Sequence, residues 1–420
     1  MGVDLIDGSS YERDRAPRGA GGISRRSLLR YTAMAGAGAG LGLVGGMAGS
    51  ASADDTSEPI VKPLPPELFT VFGSNAEMKW EAMQGQGYTT PIDRFFVRDH
   101  TRTPLIEAAT WRLKLWGTGL RGAPTEAAPI EFDYDQLRRL PAETVTAFIE
   151  CTGNGRSFYT SQQQQTVTGT AWGLGAVGVA RWRGVPLRTV LELAGLSHHA
   201  VDVMPRGLDD EWTDAGVNHG HVRRPLPVTK ASRDVLLAYE MNGEPLPPDH
   251  GFPVRLVVPN WIGIASIKWV GDIQVSDHQL SSPWDTQYYR LFGPGYPAEG
   301  SPPITRQVTK SAFELPRQAQ LSAGRTHMLH GRSWSGNGRI LRVEISTDGG
   351  TTWHQAHRQE QEGHRAWLRW TFPWRPAHQG PYELLARAVD ETGHAQPDTA
   401  RYNTLGYLFD AVVRHPVTVS

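Results

Sequence analysis

A single cysteine, Cys151, stands in 420 residues. Alone it cannot close an internal bridge, which excludes a disulfide scaffold. The chain also lacks C-x-x-C, H-E-x-x-H and C-x-x-C-H spacings, so zinc, iron–sulfur and c-type haem sites have no signature here. An excess of charge is missing too: 42 Lys and Arg against 43 Asp and Glu give a formal net charge of −1. Nothing in that balance draws the chain to nucleic acid or to an anionic membrane, and any anion site must come from a local cluster. Internal repeats are absent, which excludes a solenoid.

Long runs of large apolar residues are scarce as well. The uncharged stretch from Tyr31 is long enough to span a membrane, but Gly and Ala dominate it. It follows Ser24-Arg25-Arg26-Ser27-Leu28-Leu29-Arg30 and precedes Ala51-Ser52-Ala53, so residues 1–53 read as a cleaved twin-arginine signal with an A-x-A cleavage site. The expected mature protein is exported to the periplasm or cell-wall side, without a membrane span. Export of an already folded chain suits a protein that receives an organic cofactor beforehand.

What is present is a sheet-rich pattern. Gly 46 and Pro 30 supply many turns, and 39% hydrophobic residues suffice for a sizeable core. Residues 54–68 read as a polar, Pro-rich linker or tail, with order beginning near Phe69. Residues 69–285 alternate short strands and helices: Thr144–Glu150 as a strand, Val185–Ala194 as a helix stopped by Gly195, and Val254–Val258 and Ser266–Val275 as strands. Residues 286–306, rich in Pro, Gly and Tyr, read as a second linker. Beyond it, Arg339–Thr347 and Tyr382–Val389 alternate toward Asp348-Gly349-Gly350 and Asp390-Glu391-Thr392-Gly393, the spacing of a β-sandwich. The expected fold class is α+β: a mixed α/β domain followed by an all-β immunoglobulin-like domain over 307–420.

Cys151 leaves the strand Thr144–Glu150 and opens Thr152-Gly153-Asn154-Gly155-Arg156, where glycines allow backbone to approach a ligand. By composition alone a lone cysteine is more often core filler. Its place at a strand end favours a functional thiolate, a soft ligand for a transition metal, with Arg156 favouring the deprotonated form. One thiolate cannot hold a metal by itself; histidines or a cofactor with its own sulfur donors must complete the set. The second fits a chain without metal motifs better.

Six ordered segments carry a resemblance: Phe95–His100, Phe148–Arg156, Gly169–Gly173, Gly207–Asp209, Asp249–Arg255 and Ser266–Gly271. Together they resemble the cofactor segments of the sulfite oxidase family of molybdopterin-dependent oxidoreductases. Gly331–Gly336 and Glu344–Gly350 resemble that family's dimerisation domain. The resemblance implies molybdenum held by Cys151 and by the two dithiolene sulfurs of molybdopterin. It implies cofactor contacts from Phe96, Val97, Arg98, Asp99, His100, Asp209, His250, Arg255, Ser266, Ile267 and Lys268. Arg98, Arg156, Trp172 and Arg339 are implied at the substrate site. A small anionic sulfur substrate, an external c-type cytochrome or other acceptor, no haem in this chain and a homodimer complete the expectation.

Two departures stand out. Asp99 occupies a position where the family commonly has Asn. The segment Trp212–Pro225, where a substrate-site tyrosine is expected, has none; it offers His219 and His221 instead. Rival readings are a molybdopterin reductase of sulfoxides or another small oxo substrate, a cysteine hydrolase using one of His198, His199, His219 and His221, and a secreted binding module built on the sandwich.

Overall fold

The computed structural model describes residues 59–420, which lie in one compact unit. The signal sequence expected over 1–53 lies outside the described residues. Among those residues no helix is long and apolar enough to cross a membrane.

The architecture is mixed and rich in strands. Its α-helices are short, the longest being the seven-residue Leu187–Leu193 and Val228–Asp234. Between residues 59 and 285 two larger sheets dominate. One runs Leu226–Pro227, Asp202–Gly207, Val270–Ser276, Arg112–Trp116, Ile130–Asp133, with the Val270–Ser276 and Arg112–Trp116 pair parallel and the other neighbours antiparallel. The other runs Glu244–Pro245, Leu236–Met241, Val177–Pro186, Glu143–Glu150, and Arg255–Val257 also pairs with Leu236–Met241. The strand Val177–Pro186 is apolar and buried apart from the exposed Arg181 and Arg183, because elsewhere both of its faces are covered. Trp182, Val185 and Leu237 are fully buried in the layers on either side.

From residue 310 onward two sheets share one core. Lys310–Phe313, His327–Trp334, Leu368–Trp374 and His357–Gln361 form the first. Ala319–Leu321, His415–Val419, Gly380–Asp390, Ile340–Ser346 and His354–Gln355 form the second. Phe313, Leu329, Trp370, Ile345, Leu384 and Val417 meet between them, the packing of a β-sandwich.

Several local expectations need correction. The helix begins at Leu187 rather than Val185, because Val185 and Pro186 still belong to the strand Val177–Pro186. The strand expected over Ser266–Val275 is only Val270–Ser276. Residues 263–269 instead form a short 3-10 turn, Gly263–Ala265, and a bend in which Trp269 has φ +51°. The described part of each stretch read as a linker is packed into the fold. In the first, Ile60 is buried and the Val61 and Lys62 amides donate to Asp249; in the second, Tyr289 and Ile304 belong to the main core.

Candidate active site

The strand Glu143–Glu150 ends at a tight turn that presents Cys151. The Cys151 amide donates to Ala176 O at 2.9 Å and its carbonyl accepts from Asn154 N at 2.9 Å. Glycine is required here for space: a Cβ at Gly153 would lie 2.5 Å from the Arg156 guanidinium, and one at Gly263 would lie 2.6 Å from the Glu150 carbonyl oxygen. Gly263 therefore lets the 263–269 bend lie directly against the cysteine strand.

A pocket opens between them. Phe95, Phe96, Arg98, Asp99, His100, Cys151, Thr152, Asp209, Asp249, His250, Arg255, Ser266, Ile267, Lys268, Trp269 and Tyr289 are among the side chains that line it. Five of the six sequence segments thus reach one cavity. Val97, in the strand Val97–Arg98, points away into a small core with Ile60, Phe69 and Ala76.

One part of the pocket is densely cross-linked. Lys268 Nζ donates to the Asp99 carboxylate and, at 2.7 Å, to Asp249 O. Thr103 Oγ1 bridges Asp99 Oδ2 at 3.0 Å and Asp249 Oδ1 at 2.6 Å. Burial pushes the Asp99 carboxyl up, and the adjacent Lys268 ammonium opposes that shift. The carboxylate that departs from the family's Asn is therefore consumed by an ion pair. Arg255 is buried and donates to Leu256 O, His250 O and Ser266 O; burial pulls its pKa down to about 9. Those three bonds leave two of its five N–H groups unassigned.

The other part is open. Arg98 lies beside Cys151, Tyr289 and Asp99, and its guanidinium has no hydrogen bond or ion pair to another described residue. His100 Nε2 accepts from Trp284 Nε1 at 3.1 Å. Burial, reinforced by Arg98 and Lys268, holds its pKa well below the ordinary value, so the ring is neutral with its proton on Nδ1. Three buried polar atoms of the lining have no partner: Thr152 Oγ1, Asp209 Oδ1 and His250 Nε2. Burial also raises the Asp209 carboxyl to about 7.

The pocket does contain a tyrosine, although Trp212–Pro225 has none. It is Tyr289, from the stretch read as a linker, held in the left-handed region at φ +56°. Its ring stacks on Tyr407 at 5.3 Å with planes 8° apart, and burial pushes its pKa up, so it stays a neutral phenol. Arg224 secures this segment by donating to Trp284 O and to Ile304 O, the latter at 2.6 Å. The histidines proposed in the phenol's place lie elsewhere. His219 stacks on Trp212 at 5.0 Å, and His221 Nδ1 donates to Asp209 O at 2.5 Å.

Three of the expected substrate-site residues do not line this pocket. The Arg156 Nε and Nη1 donate to Leu405 O and Thr170 O, each at 2.8 Å, and the guanidinium lies over the Tyr407 ring. Trp172 is 1% exposed and packs edge-on against Phe72 in the core behind Cys151. Arg339 is exposed beside Glu391, whose amide donates to its carbonyl. Sequence reading missed Tyr289, Thr152 and Asp249. Asp249 stood inside a quoted motif, and Tyr289 was one of four aromatics, with Tyr288, Phe292 and Tyr296, in a segment without clear period.

Residues 100–284 match the family model described as the oxidoreductase molybdopterin binding domain, and residues 306–420 match the Mo-co oxidoreductase dimerisation domain. Sulfite oxidase of Gallus gallus is 34% identical over 361 residues, covering 80% of this chain and 74% of that protein. Mitochondrial sulfite oxidase of Mus musculus is 35% identical over 366 residues, covering 82% of this chain; the chain spans 64% of that relative's length. The crystal structure of the sulfane dehydrogenase SoxCD from Paracoccus pantotrophus aligns with a TM-score of 0.71 at 26% identity, over 88% of this chain and 92% of that one. With matches that run from residue 100 to the last residue, and a pocket built from the same ordered segments, the chain belongs to the sulfite oxidase family of molybdopterin-dependent oxidoreductases.

Proposed function

We propose that this protein oxidises sulfite, or a related small sulfur oxyanion, at a molybdenum–molybdopterin cofactor bound through Cys151. The observation that carries the reading is the meeting of Cys151 with the Arg98 guanidinium and the neutral Tyr289 phenol in one pocket.

The residues present fit the cofactor. Thr152 Oγ1, Asp209 Oδ1 and His250 Nε2 are buried without partners, as expected of walls awaiting a polar heterocycle. Cys151 offers the soft ligand, Lys268 and Arg255 offer N–H groups to a phosphate, and the neutral His250 ring offers Nε2 as an acceptor. When bound, the cofactor supplies oxygen-atom transfer and takes up two electrons. In balance, sulfite and water give sulfate, two protons and two electrons.

The chain's own contribution is binding and proton placement. Arg98 holds the anion by charge-assisted hydrogen bonds in a buried setting where these are strong. Tyr289 stays protonated and donates to oxygen, while neutral His100 leaves Arg98 as the dominant charge beside the substrate. Trp172 and Arg156 support the cysteine turn from behind rather than touching substrate.

The same reading has residues 1–53 direct export by the twin-arginine route, electrons pass to an external c-type cytochrome, and residues 306–420 form an immunoglobulin-like domain that pairs two chains. Purified protein from a molybdopterin-competent host should carry about one molybdenum per chain. Sulfite oxidation and sulfoxide reduction are then compared with artificial electron carriers. Cys151→Ser should lose the metal and all sulfite oxidation; a Ser variant as active as wild type would refute the assignment.

A further inference from the structure

Glu150, the residue immediately before Cys151, carries a fully buried carboxylate. Lys310 Nζ donates to its Oε1 at 2.6 Å, Asn154 Nδ2 to the same oxygen at 2.9 Å, and Trp334 Nε1 to its Oε2 at 2.9 Å. The Lys310 ammonium, 1% exposed, also donates to Asn154 O at 2.9 Å. Asn154 Oδ1 accepts from Ala176 N, and Gln307 Nε2 donates to the Glu150 carbonyl at 2.8 Å. The turn that presents the thiolate is therefore gripped on both sides by one continuous network.

Lys310, Gln307 and Trp334 all come from the stretch matching the dimerisation domain, while Glu150 and Asn154 belong to the molybdopterin-binding match. The surroundings are apolar, with Trp80, Trp334 and Trp367 packed together beside the pair. Burying two charges there costs several kcal/mol per ion, and an apolar pair of similar size would stabilise the fold as well or better. Stability is thus a poor account of this lysine. Its two bonds converge on the side chain before the cysteine and the carbonyl three residues after it, which suits a role in orientation.

We propose that Lys310 is a positioning residue for the metal thiolate: it locks Glu150 and Asn154, and through them fixes the direction in which Cys151 presents its sulfur. The proposal rests on Cys151 being the metal ligand. It assigns to the second half of the chain a hold on the metal centre that is separate from subunit pairing.

The test uses purified, molybdenum-loaded protein: wild type, Lys310→Met, Lys310→Arg, and Lys310→Met combined with Glu150→Gln. Metal content, the rate of metal loss on mild heating and the visible thiolate-to-metal absorption are read for each. Lys310→Met should release molybdenum on the order of 10–100 times faster than wild type, with a shifted visible band; Lys310→Arg should restore the band. Wild-type release and an unshifted band in Lys310→Met, with only the melting temperature lowered, would overturn the proposal. If that variant does not fold, the double variant decides by the same two readouts, since it removes both charges together. Wild-type protein without stoichiometric molybdenum would overturn the ligand assignment and the lock together, whereas a loaded wild type beside an unaltered Lys310→Met overturns the lock alone.

Discussion

The two parts of the pocket treat their charges in opposite ways. Around Lys268 the charges are answered by protein: ammonium to Asp99 and to Asp249 O, Thr103 across both carboxylates, Arg255 on three carbonyls. Around Cys151 the groups are left open: among the described residues Arg98 makes no hydrogen bond or ion pair, and Thr152 Oγ1 and Asp209 Oδ1 have no hydrogen-bond partner. The first arrangement is a frame built during folding, with its electrostatic costs already met. The second keeps its hydrogen-bonding capacity for what arrives later. Loss of a frame residue should therefore unfold or empty the pocket, and loss of an open one should slow turnover in an intact protein.

Lys268→Met gives the largest expected effect. It strands the buried Asp99 carboxylate, and breaking a buried pair of this kind costs about 3–5 kcal/mol. Urea denaturation should show that loss together with reduced molybdenum content; a stable, fully loaded variant would erase the contrast between the two parts. Arg98→Met comes next. It should lower kcat/KM for sulfite on the order of 10²–10³-fold, the scale for one lost donor to a developing charge, with molybdenum content unchanged. Steady-state assay beside metal analysis decides it.

The smallest effect sharpens the comparison through pH. Asp209 is raised by burial from 3.8 to about 7. A carboxyl raised in this way binds a proton in the folded state that the unfolded chain has lost, so the folded form is favoured as pH falls from 7 toward 4. Cofactor-free protein should therefore gain stability over that range through this group. Asp209→Asn, which is neutral throughout, should flatten the profile by roughly 1–3 kcal/mol in chemical denaturation at pH 4 and pH 7. An unchanged profile would place the Asp209 carboxylate in a wetter setting than the buried wall described above.

Much of this was legible in the residues themselves. The strand leading to Cys151 runs Glu143–Glu150 against an expected Thr144–Glu150, because β-branched and aromatic residues are concentrated there and a glycine-containing turn follows. The ordered motifs located most of the lining, since each couples a turn residue to a side chain of fitting chemistry. What could not be read was direction. Sequence shows that Arg156 is a cation, but not that Thr170 O and the distant Leu405 O will take its donors. Nor does it show that Trp172 turns inward or that Arg339 stays at the surface. Tyr289 was hidden because a Pro- and Gly-rich composition resembles a connector, whereas here Arg224 and the Tyr407 ring pin that composition in place. The strand expected over Ser266–Val275 failed at Trp269, whose positive φ swings Ser266–Lys268 into the cavity.

The contact between the Val61 and Lys62 amides and Asp249 has a practical side. Those two donors fasten residues 61 and 62 to a residue of the pocket wall, so the choice of a recombinant start is not neutral. A boundary drawn at Phe69, the start of the first strand of the described residues, would remove both donors and leave the buried Asp249 carboxylate answered by Thr103. Affinity tags and shortened versions of this protein are best planned around that clasp.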